Sequence, residues 1–300
     1  MRGPVRAFTA SLVLVLVGCA TSEPSLRLVF YTDVHARTEW ETPVALDRVR
    51  DAINAEQPDL VIATGDLITD GFEAASPADV SARWDAYLEL HEGIEAEVYP
   101  AIGNHDLVAA NPEDGSPAAA DPRAVARERL GLERTFYTFE HSGYRFFLLD
   151  STEVTGGELQ YRGYIGEEQL AWLEAELASV ARETPIVVAL HIPLLTSFYS
   201  ATEGGTFAAP ANRVLVNNRE VLALFEEHNL VLVLQGHLQA KELSRWRDTT
   251  FITGGAVCGK WWRGAWFGTE PGYNVVTLEG NHVEWDYVEY GWTPRRPRGR

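Results

Sequence analysis

Apolar runs that end in polar residues alternate along this chain with stretches of helical period, the pattern of an α/β fold. The runs predict strands at Leu26–Thr32, Leu60–Thr64, Val98–Ile102, Tyr144–Leu149, Ile186–Leu190 and Leu230–Leu234. Three helices have readable starts. Thr42-Pro43, Ser76-Pro77 and Asp121-Pro122 each place a capping side chain before a proline suited to the first helical position. Ala171–Ala181 and Asn218–Glu227 complete the helical set. From Thr249 the pattern shifts to short β-like segments, Phe251–Thr253, Asn274–Leu278 and His282–Tyr287, separated by glycines, which predicts a C-terminal part that adds a second sheet by hairpins.

The two ends read differently from the middle. Arg2 and Arg6 form a basic start, and the apolar stretch Ala7 to Val17 is too short to span a bilayer, so residues 1–18 read as an export signal. Leu16-Val17-Gly18-Cys19 resembles the bacterial lipobox, in which small residues precede a cysteine that becomes the lipidated N-terminus. The expectation is an exported protein held in the bacterial cell envelope by a lipid on Cys19, with residues 19–25 as a polar linker. With Cys19 lipidated, Cys258 is the only other thiol and no intrachain disulfide can form. Residues 26–293 are expected to form a single domain, and residues 294–300, with four arginines and two prolines, a disordered basic tail.

Charge narrows the choice of partners. Asp and Glu number 43 against 25 Lys and Arg, a formal charge of −18. Such an excess repels a nucleic acid polymer and leaves a small phosphorylated substrate as the easier ligand. Lys241 and Lys260 are the only lysines, so bound metal ions are candidates for the cationic groups a phosphate site needs.

Five polar clusters stand at or just after the ends of five apolar strands, where open α/β sheets place their ligands. They are Asp33-Val34-His35, Gly65-Asp66, Gly103-Asn104-His105-Asp106, His191 and Gly236-His237. Each alone has an ordinary explanation as a turn residue, a strand cap or a satisfied core histidine. Together they bring carboxylate, imidazole and amide groups to one edge, and burying so many polar groups is costly unless something binds them. Asp and His favour divalent Mn, Fe or Zn, and one carboxylate can bridge two ions about 3.5–4 Å apart. The glycines before Asp66, Asn104 and His237 are expected to let the backbone turn sharply.

These clusters, in this order and spacing, resemble the calcineurin-like metallophosphoesterase superfamily, whose pattern is DxH, GD, GNH(D/E), H and GHxH, over roughly Leu26 to Glu242. The resemblance implies a sandwich of two mixed β-sheets flanked by helices. It implies two divalent ions, one held by Asp33, His35 and Asp66, the other by Asp66, Asn104, His191 and His237. It also places His105 beside the scissile phosphate, to stabilise its charge and protonate the leaving oxygen, with Asp106 orienting the ring. The last motif departs from the family. Gly236-His237-Leu238-Gln239 has Gln239 where the second histidine belongs, a neutral, harder donor that suits Mn or Mg better than Zn.

The expected activity is therefore hydrolysis of a small phosphomonoester or phosphodiester. The competing expectation is a lipid-anchored phosphate-ligand binding protein whose metal site Gln239 has weakened. A serine hydrolase is disfavoured, because the chain has no Gly-x-Ser-x-Gly elbow and Ser151 no assigned base. Trp261, Trp262 and Trp266 could rim a cleft or sit in the core. Asp150 reads equally as support for the site or as a strand-end cap, and Asn111 to Asp121 as a lid or a plain loop. Neither Ala201–Arg213 nor Gly254–Gly272 carries a recognisable substrate code.

Overall fold

A computed structural model describes residues 25–296; residues 1–24, with the expected export signal and Cys19, and Pro297 to Arg300 lie outside the described residues. Thirteen strands are described, β1 (Leu26–Tyr31), β2 (Leu60–Thr64), β3 (Val98–Ala101), β4 (Tyr137–His141), β5 (Tyr144–Leu149), β6 (Thr152–Gly156), β7 (Gln160–Gly163), β8 (Pro185–Leu190), β9 (Asn229–Gln235), β10 (Glu242–Trp246), β11 (Thr249–Thr253), β12 (Gly272–Glu279) and β13 (His282–Glu289). The helices are α1 (Thr42–Ala55), α2 (Ser81–Gly93), α3 (Ala124–Leu130), α4 (Glu167–Leu177), α5 (Phe198–Thr202) and α6 (Asn218–Leu224).

Two mixed sheets pack face to face. One has the order β13-β12-β1-β2-β3, the other β10-β11-β9-β8-β5-β4, and β6 with β7 forms a separate ribbon. Each large sheet has a parallel centre, β1-β2-β3 in one and β5-β8-β9-β11 in the other, with antiparallel strands added outside. Period-two alternation sends Leu28 and Phe30 of β1 into the shared core with Phe146, Leu148 and Val187, while Val29 and Tyr31 face α1 and α2. On the far side, Phe147, Leu149 and Val188 meet Leu173 and Leu177 of α4. Central strands are thus buried on both faces, which is why they read as unbroken apolar runs. The expected helix–sheet–sheet–helix sandwich is the fold.

Several local expectations are corrected. The C-terminal strands build no sheet of their own: β11 runs parallel to β9 in one sheet, and β12 pairs antiparallel with β1 in the other. Thr42 opens α1 without capping it, since its hydroxyl donates to the Arg37 carbonyl at 2.6 Å and Glu41 takes the cap position. Ser76 and Asp79 cap a 3-10 turn, Pro77–Val80, that leads into α2. Helix α3 begins at Ala124, with the Asp121 carboxylate accepting the Arg123 N–H. Helix α4 starts at Glu167, four residues before the sequence pattern placed it, with Glu167 and Glu168 at its positive end. Helix α6 stops at Leu224, short of Glu227. The described part of the basic tail is tied down: Arg295 pairs with Glu41, and Arg296 donates to the Trp261 carbonyl and lies over the Trp40 ring.

Candidate metal centre

The carboxyl ends of β1, β2 and β3 in one sheet and of β8 and β9 in the other converge on one spot. Their loops are laced by backbone bonds, Asp33 N–H to Gly65 O at 3.0 Å, His35 N–H to Asp66 O at 2.9 Å and Gly236 N–H to His191 O at 2.9 Å. Glycine is needed here chiefly for close approach. A Cβ on Gly103 would lie 2.3 Å from Asp66 Oδ1, and one on Gly236 2.1 Å from Thr32 Oγ1. Only Gly65 also has a left-handed backbone, φ 87°. The sharp turns are made instead by the functional residues themselves, Asp33, His35, Asp66, His237 and Gln239, all at φ between 46° and 71°. Each left-handed non-glycine residue costs about 1–3 kcal/mol, strain of the kind stored at functional sites.

Asp66 is the hub. Its Oδ1 accepts the His105 backbone N–H at 2.9 Å, while Oδ2 lies 3.1 Å from His191 Nε2 and 3.5 Å from His35 Nε2. His191 Nε2 is in turn 3.1 Å from His237 Nδ1, and its Nδ1 donates to the Thr64 carbonyl at 2.7 Å, which leaves Nε2 as the free donor atom of the neutral ring. Asp33 Oδ2 accepts from the His237 N–H at 2.9 Å and the Thr32 hydroxyl at 2.8 Å, and its Oδ1 stands 3.7 Å from His35 Nε2. Gln239 Nε2 is 3.1 Å from the same His35 nitrogen. Two groups with metal-binding spacing result, His35-Asp66-His105 and Asp66-His191-His237, and Asp66 belongs to both.

Electrostatics agree with a cation site. Burial opposes the charge on Asp66, yet His191 and His105 hold its carboxyl well below the usual range. Asp33 is also lowered, burial being outweighed by its histidine neighbours His35 and His191. His191, although buried, is pulled up to about 9 by the Asp66 carboxylate, whereas burial pushes His237 down to about 3 and His105 down to about 4. Three further oxygens, Asp33 Oδ1, Asn104 Oδ1 and Gln239 Oε1, are buried and accept no hydrogen bond. A buried acceptor left unsatisfied costs about 1–3 kcal/mol. Acceptors without donors beside shared carboxylate and imidazole groups fit bound divalent cations.

Asp106 acts elsewhere than expected. Its carboxylate accepts the backbone N–H groups of Leu67 (2.8 Å), Ile68 (3.0 Å) and Gly103 (2.8 Å), so it ties the Asp66 and Asn104 loops together. The His105 ring is positioned by others: its Nδ1 accepts the Asp70 N–H at 3.3 Å, and the Trp261 and His35 rings stand edge-on to it, centroids 4.9 Å away. Asp150, at the carboxyl end of β5, is engaged by Arg123 at 2.5 Å and Thr135 at 2.8 Å rather than by any of the clustered histidines and carboxylates. Of the three tryptophans, Trp261 lines the cleft, Trp262 is buried with its Nε1–H on the His35 carbonyl at 2.9 Å, and Trp266 lies under Lys260. Segment Asn111 to Asp121 is pinned to the Phe72–Glu73 backbone by the N–H groups of Asn111 and Glu113.

A cleft of about 830 Å³ opens over this centre, with Asn104 and His105 on its floor. Its walls include Tyr161, Asn212 and Arg213, none of which stood out in the sequence, where loop residues without pattern carry no signal. Arg213 Nη1 reaches 3.5 Å from His237 Nε2 and brings a permanent positive charge to the edge of the centre.

Among proteins of known sequence, an uncharacterized protein of Mycobacterium tuberculosis is 32% identical over 146 residues, 46% of this chain and 26% of that one. A probable cyclic nucleotide phosphodiesterase of Rhodococcus erythropolis is 29% identical over 184 residues, 57% of this chain and 54% of that one. The chain thus spans about a quarter and about half of these relatives. Among solved structures, a dimetal phosphatase from Danio rerio superposes with TM-score 0.56 at 16% identity over 89% of this chain and 99% of that one. GAP50, the anchor in the inner membrane complex of Plasmodium, superposes with TM-score 0.55 at 17% identity over 89% and 85%. The last two show a shared fold. Residues 26–240 match the family model of the calcineurin-like phosphoesterases, and the chain belongs to that family.

Proposed function

We propose that this protein hydrolyses phosphoesters with two divalent metal ions. The observation that carries the reading is Asp66, one buried carboxylate common to two ligand groups. Asp33, His35, Asp66 and Gln239 would hold one ion, and Asp66, Asn104, His191 and His237 the other. Bound ions of this kind supply Lewis acidity toward phosphoryl oxygens and activate water near neutral pH. The chain's own groups do the rest. Arg213 meets the phosphate's negative charge at the rim. His105, its Nδ1 occupied by the Asp70 N–H, keeps its proton on Nε2 and enters as a neutral donor to the substrate. Asp106 fixes the loops that carry Asp66 and Asn104.

The test is titration of Mn or Zn into chelator-stripped protein with turnover of an aryl phosphate followed in parallel. Two ions should bind per chain, and activity should appear with them and vanish on chelation. His191, whose folded pKa is about 9, is protonated near neutral pH in the metal-free protein and must lose that proton to ligate. Binding should therefore release protons and tighten as pH rises toward 9. Stoichiometric binding without turnover would instead favour a phosphate-ligand binding protein.

Gln239 is a second point of test. Its Oε1 is buried without a partner while its Nε2 contacts His35, so the amide already faces the first ion position. Gln239→His should raise affinity for Zn there by about 10–100-fold, on the scale of changes to metal-site support. Unchanged affinity would remove this residue from the ligand set.

A further inference from the structure

A strip of aromatic rings that the hydrolytic centre does not use runs from Phe207 to Trp266. Tyr199 and Phe207 lie nearly parallel, centroids 5.8 Å apart at 21°. Phe198 meets Tyr199 at 5.2 Å and Phe267 at 5.1 Å, both edge to face, and Phe267 meets Trp266 at 4.6 Å. The strip is assembled from two distant pieces of chain, helix α5 with its following loop and the 266–267 turn. Helix α5 has no buried residue, and Phe207 and Phe267 are 45% and 58% exposed. Single exposed apolar residues are ordinary, but five contiguous rings mark a binding surface.

Two cations stand beside the strip, Lys260 at Trp266 and Arg213 acting on Tyr199. Lys260 Nζ lies 3.7 Å over the Trp266 ring, and burial and then the charge of Arg213 lower its ammonium, which sets the two cations near each other. The same guanidinium stands 3.5 Å from His237 Nε2. Arg213 thus connects the histidine cluster to Lys260, and Lys260 connects in turn to Trp266 of the strip.

We propose that the strip receives the hydrocarbon tail of the substrate, making the preferred substrate an amphiphilic phosphoester with a long alkyl or prenyl chain. This rests on the phosphoesterase reading of the adjoining centre. The ring geometry favours a chain over a nucleobase. A base held between two rings needs them about 7 Å apart, twice the ~3.5 Å of carbon contact. The parallel pair stands at 5.8 Å, and the other contacts are edge to face, so the described rings offer no slot for a base while their exposed faces can cover methylene groups. The cationic pair matches a phosphate where the tail begins.

The experiment compares kcat/KM for ethyl phosphate and for dodecyl phosphate below its micelle concentration, in the metal-loaded full chain and in the double variant Phe207→Ser/Phe267→Ser. Both rings are largely solvent-facing, so the variant should fold, and its thermal midpoint checks this. The dodecyl-to-ethyl ratio should be on the order of tenfold or more in the wild type and fall toward one in the variant, the apolar area of the tail being left in water. Ethyl phosphate turnover with no gain from the longer chain overturns the proposal while the phosphoesterase reading stands. If no phosphate is turned over, calorimetric binding of dodecyl phosphate decides: binding weakened about tenfold by the variant supports the strip as a tail site, and equal or absent binding overturns it. A dimer that the variant dissociates with the ratio unchanged also overturns it, because the rings would then cover a second copy.

Discussion

Asp66→Asn should lower phosphate ester turnover by at least about 10³-fold while leaving a folded protein. Substitutions that only support a metal site typically cost about 10–100-fold in affinity or activity. In the two-ion reading Asp66 acts on both ions, so its loss should exceed that range. The amide keeps an oxygen to accept the His105 N–H at the Oδ1 position, so the loop geometry survives. At the other position an NH2 group would face His191 Nε2 and His35 Nε2, where a cation needs an anionic oxygen. Loss of that charge also removes the main pull that raises His191, so the variant should lack the proton release seen when metal binds the wild type. Thermal melting separates the explanations. The metal-free midpoints of wild type and variant should be similar, and the rise on adding metal, which reflects binding to the native state alone, should be largely absent in the variant. Turnover within a few-fold of wild type would end the two-ion reading.

What could be read from the sequence follows from how the sandwich buries its strands. Strands β1, β2, β5, β8 and β9 are covered on both faces, so they appear as apolar runs, and after β1, β2, β8 and β9 polar residues just past the run reach the centre. Strands β4 and β10 are half exposed sheet edges, and β6 and β7 form a separate two-stranded ribbon; their mixed composition has no clear period. The destination of the C-terminal strands was not legible either, because Leu278 pairs with Leu26 and nothing local encodes a partner at the opposite end of the chain. Gly103 and Gly236 were found for an incomplete reason, since loop crowding is a tertiary fact. Asp106 misled through adjacency. In the 3-10 turn Asn104–Asp106, successive side chains point about 120° apart, so a carboxylate next to His105 in sequence faces away from its ring.

His105→Ala should reduce kcat by about 10²–10³-fold, the scale of losing one preorganised donor at a developing charge, with a smaller change in KM. His105→Gln should recover part of that loss if the amide N–H can replace the Nε2–H. The substrate series then decides how the ring works. Family resemblance implies that it both stabilises the phosphoryl group and protonates the leaving oxygen. The geometry favours the first role: Nδ1 accepts the Asp70 N–H, and burial lowers the ring to about 4, so it is neutral across the working range and holds a single proton to share. A neutral imidazole donates a hydrogen bond readily but gives up its proton with difficulty. If stabilisation dominates, the loss in His105→Ala should be nearly the same for a p-nitrophenyl ester, whose leaving oxygen needs no proton, and for an alkyl ester, whose leaving oxygen does. A loss confined to the alkyl ester would show that the substrate's charge draws a second proton onto the ring and that His105 passes one to the leaving group. The pH profile should separate the two in the same way. A hydrogen-bonding ring retains activity down to about pH 5 wherever the metals stay bound, whereas a proton-donating ring loses it as pH rises through the ring's pKa in the substrate complex.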